Sequence, residues 1–260
     1  MGLLRDVLKG VIPAPIRRRR RILSNLSSDA KTQWKRLNGP PPMNDFSDYD
    51  DYWEKRGKLR TVFRRWQVAA DCIEDGATLL DVGCGTGEFL SYLRARKPTV
   101  KSKGIDFSPT SIAMTRSAGF QVEAADIAQK EIRAEYDYIT CFEVLEHIAD
   151  AESAIRHLRK AFRKQLIVSI PNVGYVGCRI RLAVFGRFPV TMCVMHIKEH
   201  VRHWTPKDFR DWAGRERLRV VRAEGQYGTA NTPWRLWPSL FAKGIVYVLE
   251  HEDVIGDAGG

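Results

Sequence analysis

From residue 78 onward, short runs rich in Val, Ile, Leu and aromatics, closed by Gly, Pro or Asp, alternate with stretches whose apolar positions repeat every three or four residues. The first pattern predicts strands at 78–82, 100–107, 120–124, 136–142, 166–170, 218–223 and 245–249. The second predicts helices at 88–96, 109–118, 128–133 and 151–163. Strands that alternate with helices form a mostly parallel sheet covered on both faces, with ligands gathering beyond the strands' carboxyl ends. The expected fold class is therefore α/β and Rossmann-like. Ahead of it, Tyr49, Tyr52, Trp53, Val62, Phe63 and Trp66 punctuate a charged helical stretch that runs to about Cys72. No internal repeat is present.

The first forty residues follow another pattern. Leu3, Leu4, Val7, Leu8, Val11 and Ile12 fall on one stripe of a helix, with Arg5, Asp6 and Lys9 opposite, and Pro13 and Pro15 end it. Five consecutive arginines, Arg17 to Arg21, come next. Of the chain's net charge of +11, this segment carries +8, so the remaining residues are nearly balanced. Such an arm suits the headgroup level of an anionic membrane through residues 1–23, a phosphate backbone, or a tail that solubilises or docks on its own domain. Asp6 stands where a myristoylation pattern needs Ser or Thr. The run Asn38-Gly-Pro-Pro-Pro42 marks a hinge, giving an arm over 1–47 and a domain over 48–260.

At 260 residues, 44% hydrophobic and 28% charged, the composition is that of a globular protein and excludes a disordered, collagenous or disulfide-dense chain. Five cysteines, with no Cys-x-x-Cys pair, fit a reducing compartment. No run approaches a membrane span. The expected location is cytoplasmic, with the arm as the means of peripheral contact at the inner face of a membrane.

The sharpest chemical signal is Asp81-Val-Gly83-Cys84-Gly85-Thr-Gly87, which follows the first strand and opens a helix at Glu88. Three alternate glycines permit a tight turn and close backbone approach to a ligand at a helix N-terminus. A dinucleotide-binding loop would need glycine where Glu88 stands, and a carboxylate there repels a pyrophosphate. Residues 79–87 resemble motif I of class I S-adenosylmethionine-dependent methyltransferases. The resemblance covers about 48–250 and implies a seven-stranded sheet with an antiparallel final hairpin. It implies that Asp81, Gly83, Cys84, Gly85 and Gly87 border the cofactor and that Asp106 accepts from both ribose hydroxyls. Asp126 would hold the adenine amino group with Ile127 on the ring, and Phe107 and Phe142 would complete the pocket. Tyr49, Tyr52 and Trp53 become candidates for a lid, or for simple packing of an N-terminal helix.

The fourth strand runs into Glu143-Val-Leu-Glu146-His147. If a helix starts there, two carboxylates and an imidazole project from one side of a single turn, as metal ligands or as a catalytic set. His196, His200 and His203 follow the fifth strand, just before Thr205-Pro206-Lys-Asp208, which reads as a helix start. Glu-x-x-Glu-His with a later His-x-x-x-Trp is similar to small-RNA terminal 2′-O-methyltransferases and to ubiquinone-pathway O-methyltransferases. That likeness implies a divalent ion, Mg, Mn, Fe or Zn, held by Glu143, Glu146, His147 and His200, with His196 or His203 as substitutes for the last. Residues 166–191 look like the MetW-like methyltransferase-domain group, which implies an insertion at about 172–204. Its Arg179, Arg181 and Arg187 would meet an anionic acceptor or simply be solvated. The group also offers a rival reading, a methyltransferase fold serving as a non-catalytic partner subunit, against which the Glu-Glu-His set argues. The expected function is O-methylation of a small, glycosyl or lipid-linked acceptor assisted by a metal. RNA is the weaker alternative, since no RNA-binding module accompanies the arginine run.

Overall fold

In a computed structural model, the described residues are 48–56, 61–189, 200–227 and 237–252, with Trp34, Asn38 and Gly39. Seven strands form one sheet in the order β3-β2-β1-β4-β5-β7-β6. They are β1 (Thr78–Val82), β2 (Lys101–Asp106), β3 (Gln121–Ala124), β4 (Tyr136–Phe142), β5 (Phe162–Pro171), β6 (Leu218–Gln226) and β7 (Gly244–His251). The first five pair in parallel, and β7 runs antiparallel between β5 and β6, as the resemblance implies. β1 lies between β2 and β4 and buries four of its five residues, Asp81 among them, which explains why Leu79, Leu80 and Val82 are all apolar.

Helices cover both faces: α1 (Tyr49–Arg56), α2 (Arg64–Cys72), α3 (Glu88–Arg96), α4 (Pro109–Ser117), α5 (Ala151–Ala161), α6 (Val176–Phe185), α7 (Pro206–Arg215) and the short α8 (Pro238–Phe241). On one face α2 and α3 bury Trp66, Val68, Phe89 and Leu90 beneath them. On the other, α5 buries Ala151, Ala154, Ile155, Leu158 and Ala161, an i, i+3, i+4, i+7 stripe, and is capped by Asp150 accepting from Ser153 N at 2.9 Å. α7 begins with the expected capping box, Thr205 with Asp208, and stacks Phe209 on Tyr247 with ring centroids 4.2 Å apart.

Three sequence expectations change. There is no helix over 128–133: the chain makes one turn, with Asp126 accepting from Ala128 N and Gln129 Nε2, both at 2.9 Å, and then continues without regular structure. Over 128–133 only Ala128 and Ile132 share a helical stripe, too little apolar surface to hold a helix against the sheet. A cavity of about 620 Å³ remains between this loop and β2–β3, lined by Lys103, Ile105, Glu123, Ile132 and Tyr136 among others. β5 starts earlier than its apolar run, because Phe162 is buried and stacks on His251 at 4.2 Å. The insertion contains an unforeseen helix, α6. Its stem is closed by a bridge between Asn172 and Trp204, and Asn172 Nδ2 donates to the carbonyls of Ser239 and Ala242. Arg181 does not await an acceptor: it is 1% exposed and donates to the carbonyls of Phe188 and Gly39, both at 2.8 Å. Arg179 likewise donates to Gly174 O, while Arg187 is exposed. Residues 1–33, which carry the arm's apolar stripe and arginine run, lie outside the described residues, as do His196 and Cys193.

Candidate active site at the carboxyl edge of the sheet

The glycine loop is pinned at the carboxyl ends of β1 and β2. Gly83 N and Cys84 N both donate to Ile105 O, at 2.8 and 3.1 Å. Gly85 has φ of 53° and donates its N–H to Asp106 Oδ2 at 2.9 Å. A Cβ at Gly85 would lie 2.6 Å from the Trp53 ring, and one at Gly83 2.3 Å from Val144 Cγ2, so side chains are excluded by space as well as by backbone angle. Asp106 is 6% exposed, and its second oxygen accepts from Ser108 N at 3.0 Å. The loop and the aspartate are thus one rigid unit. Cys84 is buried, and burial followed by the charges of Asp81 and Asp106 pushes its thiol well up, which makes it a packing residue.

Asp81 is enclosed at the start of the loop and accepts from Thr140 Oγ1 at 2.7 Å. Burial raises its pKa to about 7, against the lowering by Thr140 and with further raising by Asp106. A carboxyl raised in the folded state contributes most to stability below its unfolded pKa of about 3.8 and loses that contribution as pH climbs to about 7. At 1.36 kcal/mol per unit the full swing is ~4 kcal/mol. Asp81→Asn keeps the Thr140 hydrogen bond without ionising. In urea unfolding of the cofactor-free protein, the variant should match the parent near pH 4 and exceed it by a few kcal/mol at pH 8.

Asp126 and Ile127, assigned to the adenine, follow the end of β3. Asp126 is exposed and caps its own turn, and Ile127 is 5% exposed within the core on the α5 side. Ile127 therefore offers little surface to a ring. The exposed apolar side chain beside Asp106 is Phe107, at 58%. Phe142 is half-buried, edge-on to Phe89 at 5.1 Å. α1 lies across this edge: Asp50 accepts from Ser108 Oγ and from Thr110 N, and the Trp53 ring covers Gly85. Of the proposed lid aromatics, Trp53 reaches the loop and Tyr52 stacks edge-on behind it at 5.2 Å.

The metal set is gathered in part. Glu143 follows β4 with φ of 54°, a left-handed residue, and only Leu145–His147 form a single 3₁₀ turn. The helical spacing assumed for Glu143 is therefore absent. Its Oε1 instead accepts from Ser169 Oγ and Gln226 Nε2, both at 2.8 Å. Glu146, His147 and His200 come together, with one ligand atom of each within 4.8 Å of the others. The partner across fifty residues is delivered by backbone: Val201 N and Arg202 N donate to Glu146 O at 2.9 and 3.1 Å. Arg202 is held in turn by both oxygens of Glu152 and by Ala149 O. Glu146 is 1% exposed, and His200 Nε2 stands 4.0 Å from its Oε1. Burial, with His147 and then His203 as neighbours, pushes His200 down to about 3, which keeps its imidazole in the neutral, ligating form. His200 Nδ1 is buried with no hydrogen-bond partner. A buried carboxylate beside two imidazoles fits a divalent cation. His203 lies outside this group, its ring centroid 6.4 Å from that of His200.

Arg65 escaped the sequence analysis. It lies on the buried side of α2 with Trp66, Val68 and Ala69, is 8% exposed, and donates through a terminal nitrogen to Tyr227 Oη. Its guanidinium lies 4.2 Å from the Phe63 ring centroid, its Nε is buried without a partner, and its charge reaches Asp81. A cation on an otherwise apolar helical stripe is the signal that marks it.

A glycine loop tied to an aspartate at the end of β2, on a sheet with an antiparallel seventh strand, defines a class I S-adenosylmethionine-dependent methyltransferase. The chain belongs to the methyltransferase-domain family, which it matches over residues 52–222. It is 32% identical over 138 residues to the ubiquinone biosynthesis O-methyltransferase of Neisseria meningitidis serogroup A, a match covering 48% of this chain and 58% of that protein. The Escherichia coli O7:K1 protein of the same name is 24% identical over 203 residues, 73% of this chain and 85% of that one. Among solved structures, the magnesium protoporphyrin IX methyltransferase of Synechocystis with bound SAH aligns with a TM-score of 0.52 at 17% identity, covering 89% of this chain and 98% of that one. A TehB-like methyltransferase from Corynebacterium glutamicum aligns with a TM-score of 0.54 at 16% identity, over 78% and 98%.

Proposed function

We propose that this methyltransferase alkylates a hydroxyl oxygen of a small, glycosyl or lipid-linked acceptor, with a divalent cation held by Glu146, His147 and His200. The observation that carries the reading is the cluster of those three residues, a buried Glu146 beside two half-buried imidazoles, next to the carboxyl end of the strand that pairs with β1 ahead of the glycine loop. The ubiquinone biosynthesis relatives, named as O-methyltransferases, support it.

Asp106 receives the ribose hydroxyls of the donor, already oriented by Gly85 N and Ser108 N. Arg65 meets the methionine carboxylate, which would supply the partner its Nε lacks. Trp53, with Asp50 as its tether, shuts water from the loop. In the reaction an oxygen lone pair of the acceptor forms the new O–CH₃ bond while the S–CH₃ bond breaks, the sulfonium becoming a neutral thioether. The acceptor's proton leaves to water, since the His147 imidazole would be engaged as a ligand; with no cation bound, His147 is the candidate base. A bound divalent cation would lower the hydroxyl's pKa and orient it. Glu143, anchored to Ser169 and Gln226, shapes the acceptor side instead of serving as a ligand.

The test is transfer from methyl-labelled donor by the full chain to hydroxylated aromatic, glycosyl and polyprenyl acceptors, with small RNA in parallel. Label on a hydroxyl oxygen of the first group is expected. Label confined to RNA, or donor binding without transfer to any acceptor, would replace the reading by the RNA enzyme or the non-catalytic subunit.

A further inference from the structure

Glu143 stands three residues before Glu146 and carries the same carboxylate, yet it is not among the side chains that converge with His147 and His200. It is turned the other way. Its backbone is left-handed, with φ of 54°, a conformation that a glutamate keeps only where its surroundings over-determine it. They do so here. Glu143 N donates to Ser169 O at 2.9 Å, and Val144, next in the chain, fills the space that Gly83 leaves beside the glycine loop. The side chain is then caught through Oε1, which accepts from Ser169 Oγ and Gln226 Nε2, both at 2.8 Å.

The Gln226 amide is placed for this bond. Gln226 is 1% exposed at the end of β6, paired with Gly244, where a Cβ would lie 3.0 Å from Nε2. Only an N–H can face a carboxylate, so the amide cannot flip, and its Oε1 is left buried without a donor. A buried acceptor without a donor is costly, and the fold bears that cost beside the cluster, where holding Glu143 has a use. Zinc sites closed by four protein ligands are structural, whereas catalytic ones keep three and leave a position for water or substrate. We infer that Gln226 and Ser169 are positioning residues that hold Glu143 off a bound cation. Glu146, His147 and His200 alone then ligate it, and a position stays open to the acceptor's oxygen. The inference rests on the cation reading proposed above and deepens it: Glu143 is the closing ligand that the clamp withholds.

Calorimetric titration of the metal-free full chain with Mn²⁺ tests it without any transfer assay. Gln226→Met keeps the buried volume and removes the donor, releasing Glu143 to become a fourth ligand. Its Mn²⁺ affinity should rise about tenfold or more, and water-proton relaxation by the bound ion should fall as a protein oxygen replaces a water. Ser169→Ala, a smaller change, should act in the same direction. Gln226→Met/Glu143→Gln should return both readings to those of the parent, because the gain needs the Glu143 carboxylate. Glu143→Gln alone should leave Mn²⁺ affinity within a few-fold of the parent. If it weakened binding as much as Glu146→Gln does, Glu143 would be a ligand despite the clamp and the inference would be overturned. Unchanged Mn²⁺ affinity in both Gln226→Met and Ser169→Ala, each still binding S-adenosylmethionine, would overturn it too and reduce the clamp to packing. Either result leaves the cation reading standing so long as Glu146→Gln weakens Mn²⁺ binding. A parent that binds no Mn²⁺, or binds it as well after Glu146→Gln, would remove that reading and the inference with it.

Discussion

Glu146→Gln should abolish methyl transfer while leaving S-adenosylmethionine affinity within a small factor of the parent. The side chain is 1% exposed, faces His200 from 4.0 Å, and its backbone carbonyl rather than its carboxylate holds the 200–202 segment in place. Gln has nearly the same shape, so the turn and its hydrogen bonds to Val201 and Arg202 survive. What is lost is the negative charge that a divalent cation needs beside two neutral imidazoles. Loss of an outer-shell partner alone costs about 10–100-fold in metal affinity or activity, so an inner ligand should cost at least about 100-fold in kcat. Chelation of the parent should reproduce the loss, and added metal should restore the parent but not the variant. A kcat within a few-fold of the parent, insensitive to chelator, would leave His147 as an unassisted base. Glu143→Gln gives the contrast: its oxygen accepts from Ser169 and Gln226, and Gln can still accept there, so the effect expected is smaller.

The fold was legible because its signals are local. β1 and β4 read as strands from short stretches rich in aliphatic, β-branched and aromatic residues, and α5 read from its stripe. The errors arose where tertiary context overrules local pattern. Residues 128–133 have helix-forming composition but an apolar face of only Ala128 and Ile132, and residues 162–164 joined β5 because Phe162 packs on His251, a partner nearly ninety residues away. At the site, Asp106 and the three glycines could be read because a strand end followed by a tight turn constrains residue type directly. Glu143 was misread because a helical spacing was imposed on a residue whose left-handed φ no sequence pattern announces outside Gly, Asn or Asp. That His200 lies near Glu146 was legible only by resemblance, since the approach depends on two backbone hydrogen bonds from Val201 and Arg202. Arg65 carried a local signal, a cation on an apolar stripe, that was legible but passed over.

Two substitutions at opposite ends of the donor should separate its recognition into parts. Asp106→Ala removes the acceptor of Gly85 N and Ser108 N and, in the proposed placement of the donor, that of both ribose hydroxyls. Hydrogen bonds to a charged group contribute about 1.5–3 kcal/mol each, so losing two predicts a fall in affinity of about 100-fold or more. Because the ribose is common to all of them, S-adenosylmethionine, S-adenosylhomocysteine and methylthioadenosine should weaken alike. Arg65→Met keeps the buried stem against Phe63 and removes only the cation. The two amino-acid-bearing ligands should weaken about tenfold or more, whereas methylthioadenosine, which has no carboxylate, should bind as it does to the parent. Calorimetric titration of the three compounds into both variants gives the comparison directly. If Arg65→Met weakened all three equally, the guanidinium would be supporting the glycine loop through Asp81 rather than gripping the methionine end. If Asp106→Ala spared methylthioadenosine, the ribose would not sit at the end of β2, and the direction of the donor across the sheet would have to be reversed.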